Sequence, residues 1–129
     1  MNIPVSHFVA AGIGGAIGAM SRLWVSHSIH NHLSRDFPWG TLAVNSIGSL
    51  LIGFLYVLIV ENQDIDPVWR MILVVGFLGA LTTFSTFSLE ALQLFQHKEP
   101  VRAIIYVIVS FFGCISLAWV GTILARFIK

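Results

Sequence analysis

Hydroxyl groups and aromatic rings alternate over one short stretch of the chain. From position 82 to position 88 the sequence reads TTFSTFS, which places five hydroxyl side chains around two phenylalanines. Hydroxyls donate hydrogen bonds, and the edge of an aromatic ring is electropositive. Together they can replace the water around an anion without a fixed positive charge that would hold it too tightly. We therefore interpret this stretch as a candidate anion pathway.

The spacing within the stretch favours this interpretation. In a helix, Phe84 and Phe87 share one face, and Ser85 and Ser88 share a neighbouring one. Paired aromatic residues at this spacing more often serve packing, which is the alternative explanation. A packing stripe would not require hydroxyl residues in place of leucine or isoleucine.

Polar side chains also stand alone in other apolar segments. Asn45, with Thr41 one turn before it, must form hydrogen bonds if it lies in a membrane. A contact between helices, worth about 0.6 kcal/mol on average, would satisfy it, but beside a broken helix we favour a pathway role. Tyr106 and Ser110 share a face of the last apolar segment. Glu90 is either a carboxylate at the membrane interface or a residue at the mouth of the pathway.

The composition places these residues in a membrane. Of the 129 residues, 57% are hydrophobic and only 10% are charged, against roughly a quarter in soluble domains. Four apolar segments, at about 5–28, 39–60, 69–95 and 101–127, are each long enough to cross about 30 Å of hydrocarbon. We predict an all-α, multi-pass integral membrane protein in contact with lipid. Residues 1–129 would form a single four-helix transmembrane domain.

The third segment carries its own interruption. Gly76 and Gly79 each weaken a helix by about 1 kcal/mol relative to alanine, and the adjacent Thr82 and Thr83 add β-branched crowding. We predict that the third transmembrane helix is broken near its middle. Carbonyl groups freed in lipid need partners in the protein or in a cavity, and broken helices hold the ion or substrate in many transporters.

Basic residues are balanced between the two ends of the predicted helices. The two groups are Arg70, Arg126 and Lys129 at one end, and Arg35, Lys98 and Arg102 at the other. Because each end has three basic residues, the positive-inside rule predicts almost no preference for one orientation, so the chain could insert in both. An antiparallel dimer with its two-fold axis in the membrane plane would follow. The alternative is that Arg22, near the end of the first segment, fixes one orientation.

Two glycines of the first segment, Gly14 and Gly18, form a small-xxx-small pair. Such pairs allow close approach of helix backbones in membranes. We expect the pair to pack either against the second or fourth segment or against a second subunit.

Other functions are disfavoured. A net charge of +1 without a basic run argues against binding of nucleic acid. We expect no enzyme, because the sequence has no nucleophile–base pair, paired carboxylates or phosphate-binding loop. His27, His30 and His32 could bind a metal, although no cysteine or carboxylate completes the set. The single cysteine, Cys114, excludes an intrachain disulfide.

Three motifs together resemble one family over the whole chain. They are GGxxGAxxR at 14–22, GTLxVNxxG at 40–48 and GFxGxxTTFSTF at 76–87. In length, helix number and motif order the chain resembles the Fluc/CrcB fluoride channels of bacteria. The third motif is the most specific. Leu23 departs from the aromatic residue that we expect after the arginine, which concerns packing only.

The resemblance implies an antiparallel, dual-topology homodimer in the bacterial inner membrane. Fluoride would leave the cytoplasm passively through two pores. The pore-lining residues implied by position are Asn45, Phe84, Phe87, Thr41, Ser85, Ser88, Tyr106 and Ser110. The resemblance also implies a structural Na⁺ on the dimer axis, bound by the backbone carbonyls of Gly79 and Thr82 of both subunits. A hard cation accepts such oxygen ligands.

Two other classes of function compete with a channel. A small proton-coupled exporter of the four-helix, dual-topology multidrug type needs an ionisable group near the membrane centre, usually a carboxylate in its first helix. The first segment has none. A structural or assembly subunit without transport would not need Asn45, a broken helix and rows of hydroxyls together.

Overall fold

The computed structural model describes residues 3–34, 36–62 and 64–129. Four helical spans are long and apolar enough to cross a membrane: Val5–His32, Trp39–Val60, Pro67–Gln96 and Pro100–Ile128. The α-helices within them are α1 (Val5–His32), α2 (Trp39–Leu55), α3 (Pro67–Trp69), α4 (Gly79–Leu81), α5 (Phe84–Gln96) and α6 (Pro100–Ile128). The described residues contain no strand. The prediction of an all-α protein with four spans is confirmed.

The first helix extends beyond the predicted end near residue 28. The Nδ1 atoms of His30 and His32 donate to the carbonyls of Ser26 and Ser28, each at 2.8 Å. Two of the three histidines are thus hydrogen-bonded to carbonyls one turn earlier in their own helix.

The third span is the irregular one. It starts at α3, where the Asp66 carboxylate accepts from the Val68 N–H at 2.9 Å and Pro67 occupies the first turn. Residues Arg70–Leu78 then form a π-helix, which passes into α4. The wide turns of a π-helix are rare in proteins, and those that occur often lie at functional sites. A shorter π-helical stretch, Tyr56–Val60, ends the second span.

The break in the third span lies at Thr82 and Thr83. Both are extended, with φ/ψ of −84°/156° and −151°/118°. Thr83 caps α5, since its Oγ1 accepts from the N–H of Thr86 at 3.2 Å. The predicted break is confirmed, and it falls on the β-branched pair, whereas Gly76 and Gly79 remain helical.

Glycines bring α1 against the π-helix of the third span. A β-carbon on Gly14 would collide with the Ile72 carbonyl, and one on Gly18 would collide with the Phe77 carbonyl. Gly76 approaches the Ala11 carbonyl from the other side. The expected partners of the Gly14–Gly18 pair were therefore wrong. The pair packs within the chain against the third span. Gly76, which has no side chain, lies opposite Gly14 and lets the two backbones approach.

A second glycine contact joins α2 to α6. A β-carbon on Gly53 would collide with the Ala118 carbonyl, and one on Gly121 would collide with the Leu50 carbonyl. Together the two contacts pair the first span with the third and the second with the fourth.

Two ion pairs lie near helix ends. Arg126 near the end of α6 lies 3.5 Å from the Glu61 carboxylate, after the second span. Arg102 near the start of α6 pairs with Glu99 at 2.9 Å, and it also reaches the Asp36 carbonyl at 3.5 Å. Arg35, which belongs to the same predicted group as Arg102, lies outside the described residues.

Candidate functional site

An open groove of about 460 Å³ runs along the break in the third span. Spans two, three and four all contribute to its walls. Its lining residues include Asn45, Gly79, Thr82, Phe84, Phe87 and Ser110. The groove is mostly apolar, with a few polar groups at the break, which is the usual character of a binding site.

Asn45 holds the break in place. Its Nδ2 donates to the Thr83 carbonyl at 3.0 Å, and its Oδ1 accepts from the Thr83 N–H at 2.8 Å. A carboxamide carries two N–H donors, so one remains for another partner. The hydrogen bond expected for Asn45 thus goes to the interrupted backbone of the third span. Asn45 also lies in the groove wall.

Because of this arrangement, the backbone carbonyls of Gly79 and Thr82 lose the N–H donors that a continuous helix would give them. In a continuous helix the Thr83 N–H would donate to Gly79 and the Thr86 N–H to Thr82. The first donates to Asn45 instead, and the second to the Thr83 hydroxyl. Gly79 and Thr82 both line the groove. The interrupted turn therefore presents two backbone oxygens that its own helix does not satisfy.

Hydroxyl groups after the break form a local network. Thr83 Oγ1 lies 3.0 Å from Thr86 Oγ1 and 3.3 Å from Ser85 Oγ. The Ser88 hydroxyl donates to the Phe84 carbonyl of its own helix at 2.9 Å. Ser85 and Ser88 are exposed, and neither is among the residues that line the groove.

A cluster of Glu90, Thr41 and Tyr106, here called the Glu90 cluster, adjoins the groove through Phe87. The Glu90 carboxylate accepts from the Thr41 hydroxyl at 2.8 Å and from the Tyr106 hydroxyl at 2.7 Å. Tyr106 is fully buried and Thr41 is 5% exposed. Three residues that the sequence indicated separately thus meet at one point. Their meeting could not be read from the sequence, because Thr41 and Glu90 are 49 positions apart.

Aromatic rings connect the groove to this cluster. The centroids of Phe84 and Phe87 are 5.5 Å apart, and those of Phe87 and Tyr106 are 5.1 Å apart. Phe37, just before α2, contacts Tyr106 edge-on at 5.5 Å. Its position between an aspartate and a proline gave no signal of contact with the site.

Ser110 lies in the groove wall with a buried hydroxyl. The residue is 6% exposed, and its Oγ has no hydrogen-bond partner among the described residues. A buried polar group without a partner is costly, so this hydroxyl is available to a ligand in the groove.

The histidines do not converge on a metal site. Within the described part of the chain, no three His, Cys, Asp or Glu residues come together in a way that could hold a metal ion.

A family model described as CrcB-like protein, Camphor Resistance (CrcB), matches residues 9–122. The chain belongs to the CrcB family. A CrcB relative from Hahella chejuensis is 44% identical over 99% of this chain and 99% of its own length. Another, from Thermococcus kodakarensis, is 41% identical over 98% of this chain and 99% of its own. Both are named fluoride-specific ion channel FluC.

A CrcB relative from Methylococcus capsulatus carries the same name and is 47% identical over 91% of this chain. The chain spans about half of that relative's length, since 51% of it is covered. The relatives support two of our expectations. The matched proteins are named as ion channels and not as enzymes, and four spans in a CrcB chain indicate a multi-pass membrane protein.

Proposed function

We propose that this protein is a fluoride-selective passive channel. The observation that carries the proposal is the continuous line of anion-compatible groups from the groove to the Glu90 cluster. It starts at Asn45 and Phe84, continues through Phe87, and reaches Tyr106. The name of the relatives, fluoride-specific ion channel, supplies the ion.

Each predicted pathway residue has a role in this proposal. Asn45 offers its free N–H, Phe84 and Phe87 offer ring edges, and Ser110 offers its unpartnered hydroxyl. Ser85 and Ser88 extend the hydroxyl surface at the side of the groove.

The Glu90 cluster can pass on the anion without a fixed positive charge. Thr41 and Tyr106 already donate to a carboxylate. A fluoride ion would compete with Glu90 for the same two donors, so it can be bound and released without a deep minimum. Repulsion by the carboxylate favours its onward movement.

The pathway requires a second copy of the chain. The Phe84 side chain is 79% exposed although it stands in the wall of the candidate pathway. Many apolar side chains of this membrane-spanning chain are exposed, but Phe84 also lines a groove that is open on one side, and a partner subunit across the groove would bury it. The balanced basic residues fit an antiparallel, dual-topology homodimer, which would form two such pathways.

The interrupted turn suits the structural Na⁺ that the family resemblance implies. The carbonyls of Gly79 and Thr82 have lost their helical donors, and hard cations bind such oxygens. Two oxygens from one chain are too few, so both subunits of the dimer would contribute. The ion would hold the two breaks together at the dimer axis, in a bacterial inner membrane.

Anion efflux from liposomes containing the purified protein tests the proposal. With Na⁺ present, we expect rapid loss of fluoride without loss of chloride and without any proton gradient. No fluoride efflux, or efflux only when a proton gradient drives it, would contradict the proposal. The second result would favour the proton-coupled exporter, against which α1 without an acidic residue already argues.

A further inference from the structure

Phe37 lies at the membrane-interface end of the candidate pathway. It stands two residues before α2, and it packs against the buried cluster of Ala91, Leu94, Ala103 and Tyr106. Its ring meets the Tyr106 ring edge-on, at an interplanar angle of 81°. Phe37 therefore contacts the residue that donates to Glu90, and it is not among the residues that line the groove.

The order of groups along the helix axis supports this placement. At about 1.5 Å per residue, Glu90 lies about 9 Å inside the end of α5 at Gln96, Phe87 about 14 Å and Phe84 about 18 Å. Tyr106 likewise lies about 9 Å inside the start of α6. Phe87 therefore bounds the Glu90 cluster on the side toward the membrane centre.

Phe37 forms the corresponding boundary toward the aqueous phase. Two contacts fix it there. Its ring lies 4.6 Å from that of Trp39, the first residue of α2, and Arg102 reaches the carbonyl of the preceding Asp36 at 3.5 Å. Arg102 is itself paired with Glu99 at 2.9 Å. The ring is only partly buried, whereas Tyr106 beneath it is fully buried.

We propose that Phe37 controls access between the aqueous phase and the Glu90 cluster. Its ring shields the hydroxyls of Thr41 and Tyr106 from water, so an ion that enters or leaves the cluster at this end must pass the ring edge. The inference rests on the proposed channel function, and it adds to the pathway a residue outside the three motifs of the family. Phe37 acts as a positioning and access residue through its contact with the Tyr106 ring.

Thiol labelling tests the access role directly and does not require transport. The parent protein carries Thr41→Cys, with Cys114→Ser to remove the native thiol. Its rate of reaction with 2-aminoethyl methanethiosulfonate in detergent is compared with and without Phe37→Ala. We expect the Phe37→Ala protein to react about tenfold faster. A rate within twofold of the parent would overturn the inference.

Two further variants keep the test decisive. Phe8→Ala removes a ring that is 64% exposed on α1 and takes part in none of the aromatic contacts of the pathway, so its rate should equal the parent's. Equal acceleration in the Phe8→Ala protein would mean general loosening and would overturn the inference. If Phe37→Ala does not fold, Phe37→Leu provides the same comparison, with an expected acceleration of about threefold and unchanged labelling as the contrary result.

The two proposals fail separately. Absence of fluoride efflux from wild-type liposomes would refute the channel function, whereas unchanged labelling would refute the role of Phe37.

Discussion

Asn45 bonds the interrupted backbone of the third span and also lies in the wall of the proposed pathway. Both hydrogen bonds go to the main-chain groups of Thr83, the residue at which the third span is interrupted. Without them, a buried carbonyl and a buried N–H would lose their partners. Because the two bonds use only part of the carboxamide, an N–H remains for a ligand in the groove.

Replacing Asn45 with alanine should destabilise the fold. We expect Asn45→Ala to lower the free energy of unfolding by about 1–3 kcal/mol, since it leaves two main-chain groups of Thr83 unsatisfied. Thermal unfolding in detergent measures the change. Ser46→Ala, at a partly buried position of the same helix, is the control and should change stability by about 0.5 kcal/mol or less. Equal midpoints for the two variants would show that Asn45 does not hold the break.

At the scale of elements, two glycine contacts determine which spans pair. Gly14 and Gly18 meet the π-helix of the third span, and Gly53 and Gly121 join α2 to α6. These contacts bring main chain against main chain, so no side chain can adjust to make room. The broken third span, including its two carbonyls, is held against α1 by this packing.

A pair of glycine substitutions in α1 separates packing from helix propensity. Gly14→Ala should cost about 1–3 kcal/mol, because its methyl group would collide with the Ile72 carbonyl. Gly12 has no atom within 4 Å of such a methyl group, so Gly12→Ala should be neutral or stabilise the protein by up to about 1 kcal/mol. The unfolding midpoint of each variant in detergent measures the change. A decrease of the midpoint in both variants, or an increase in both, would contradict this account.

The elements differ in how far the sequence could predict them. The break was predictable because adjacent threonines after two glycines are unfavourable within a helix. The partner of Gly14 and Gly18 was not, since a small-xxx-small pair favours close approach without specifying to which helix. The Glu90 cluster depends on contacts between distant parts of the chain, and Phe37 lies in a turn whose sequence carries no sign of the contact.

At the scale of the whole molecule, the groove proposed as the pathway is open on one side in a single chain. Phe84 is exposed, the groove is open, and the carbonyls of Gly79 and Thr82 have lost their helical donors. All three features would be completed by a second copy in the opposite orientation. The basic residues of the loops are compatible with both orientations, and the Glu61–Arg126 and Glu99–Arg102 pairs neutralise one residue at each end.

The orientation of the chain in the membrane tests this arrangement. A tag at the C-terminus should be accessible on both faces of the membrane, because the loop charges do not select one orientation. Accessibility to an impermeant reagent in intact cells and in inverted vesicles measures the two populations. Adding two lysines at the C-terminus should shift the label toward the cytoplasm. One-sided labelling of the unmodified chain would rule out dual topology.

The central claim is that the groove lined by Phe84 and Phe87 carries the ion, and one flux measurement tests it most directly. Fluoride efflux is recorded from liposomes that contain wild-type protein, Phe84→Ile, Phe87→Ile or Phe112→Ile. Phe112 is a 62% exposed ring outside the groove, so its replacement is the matched control. We predict that both groove variants lose at least about tenfold in flux, corresponding to about 1.4 kcal/mol, while their dimers stay intact and the control retains wild-type flux. Wild-type fluoride flux in both Phe84→Ile and Phe87→Ile would contradict the account.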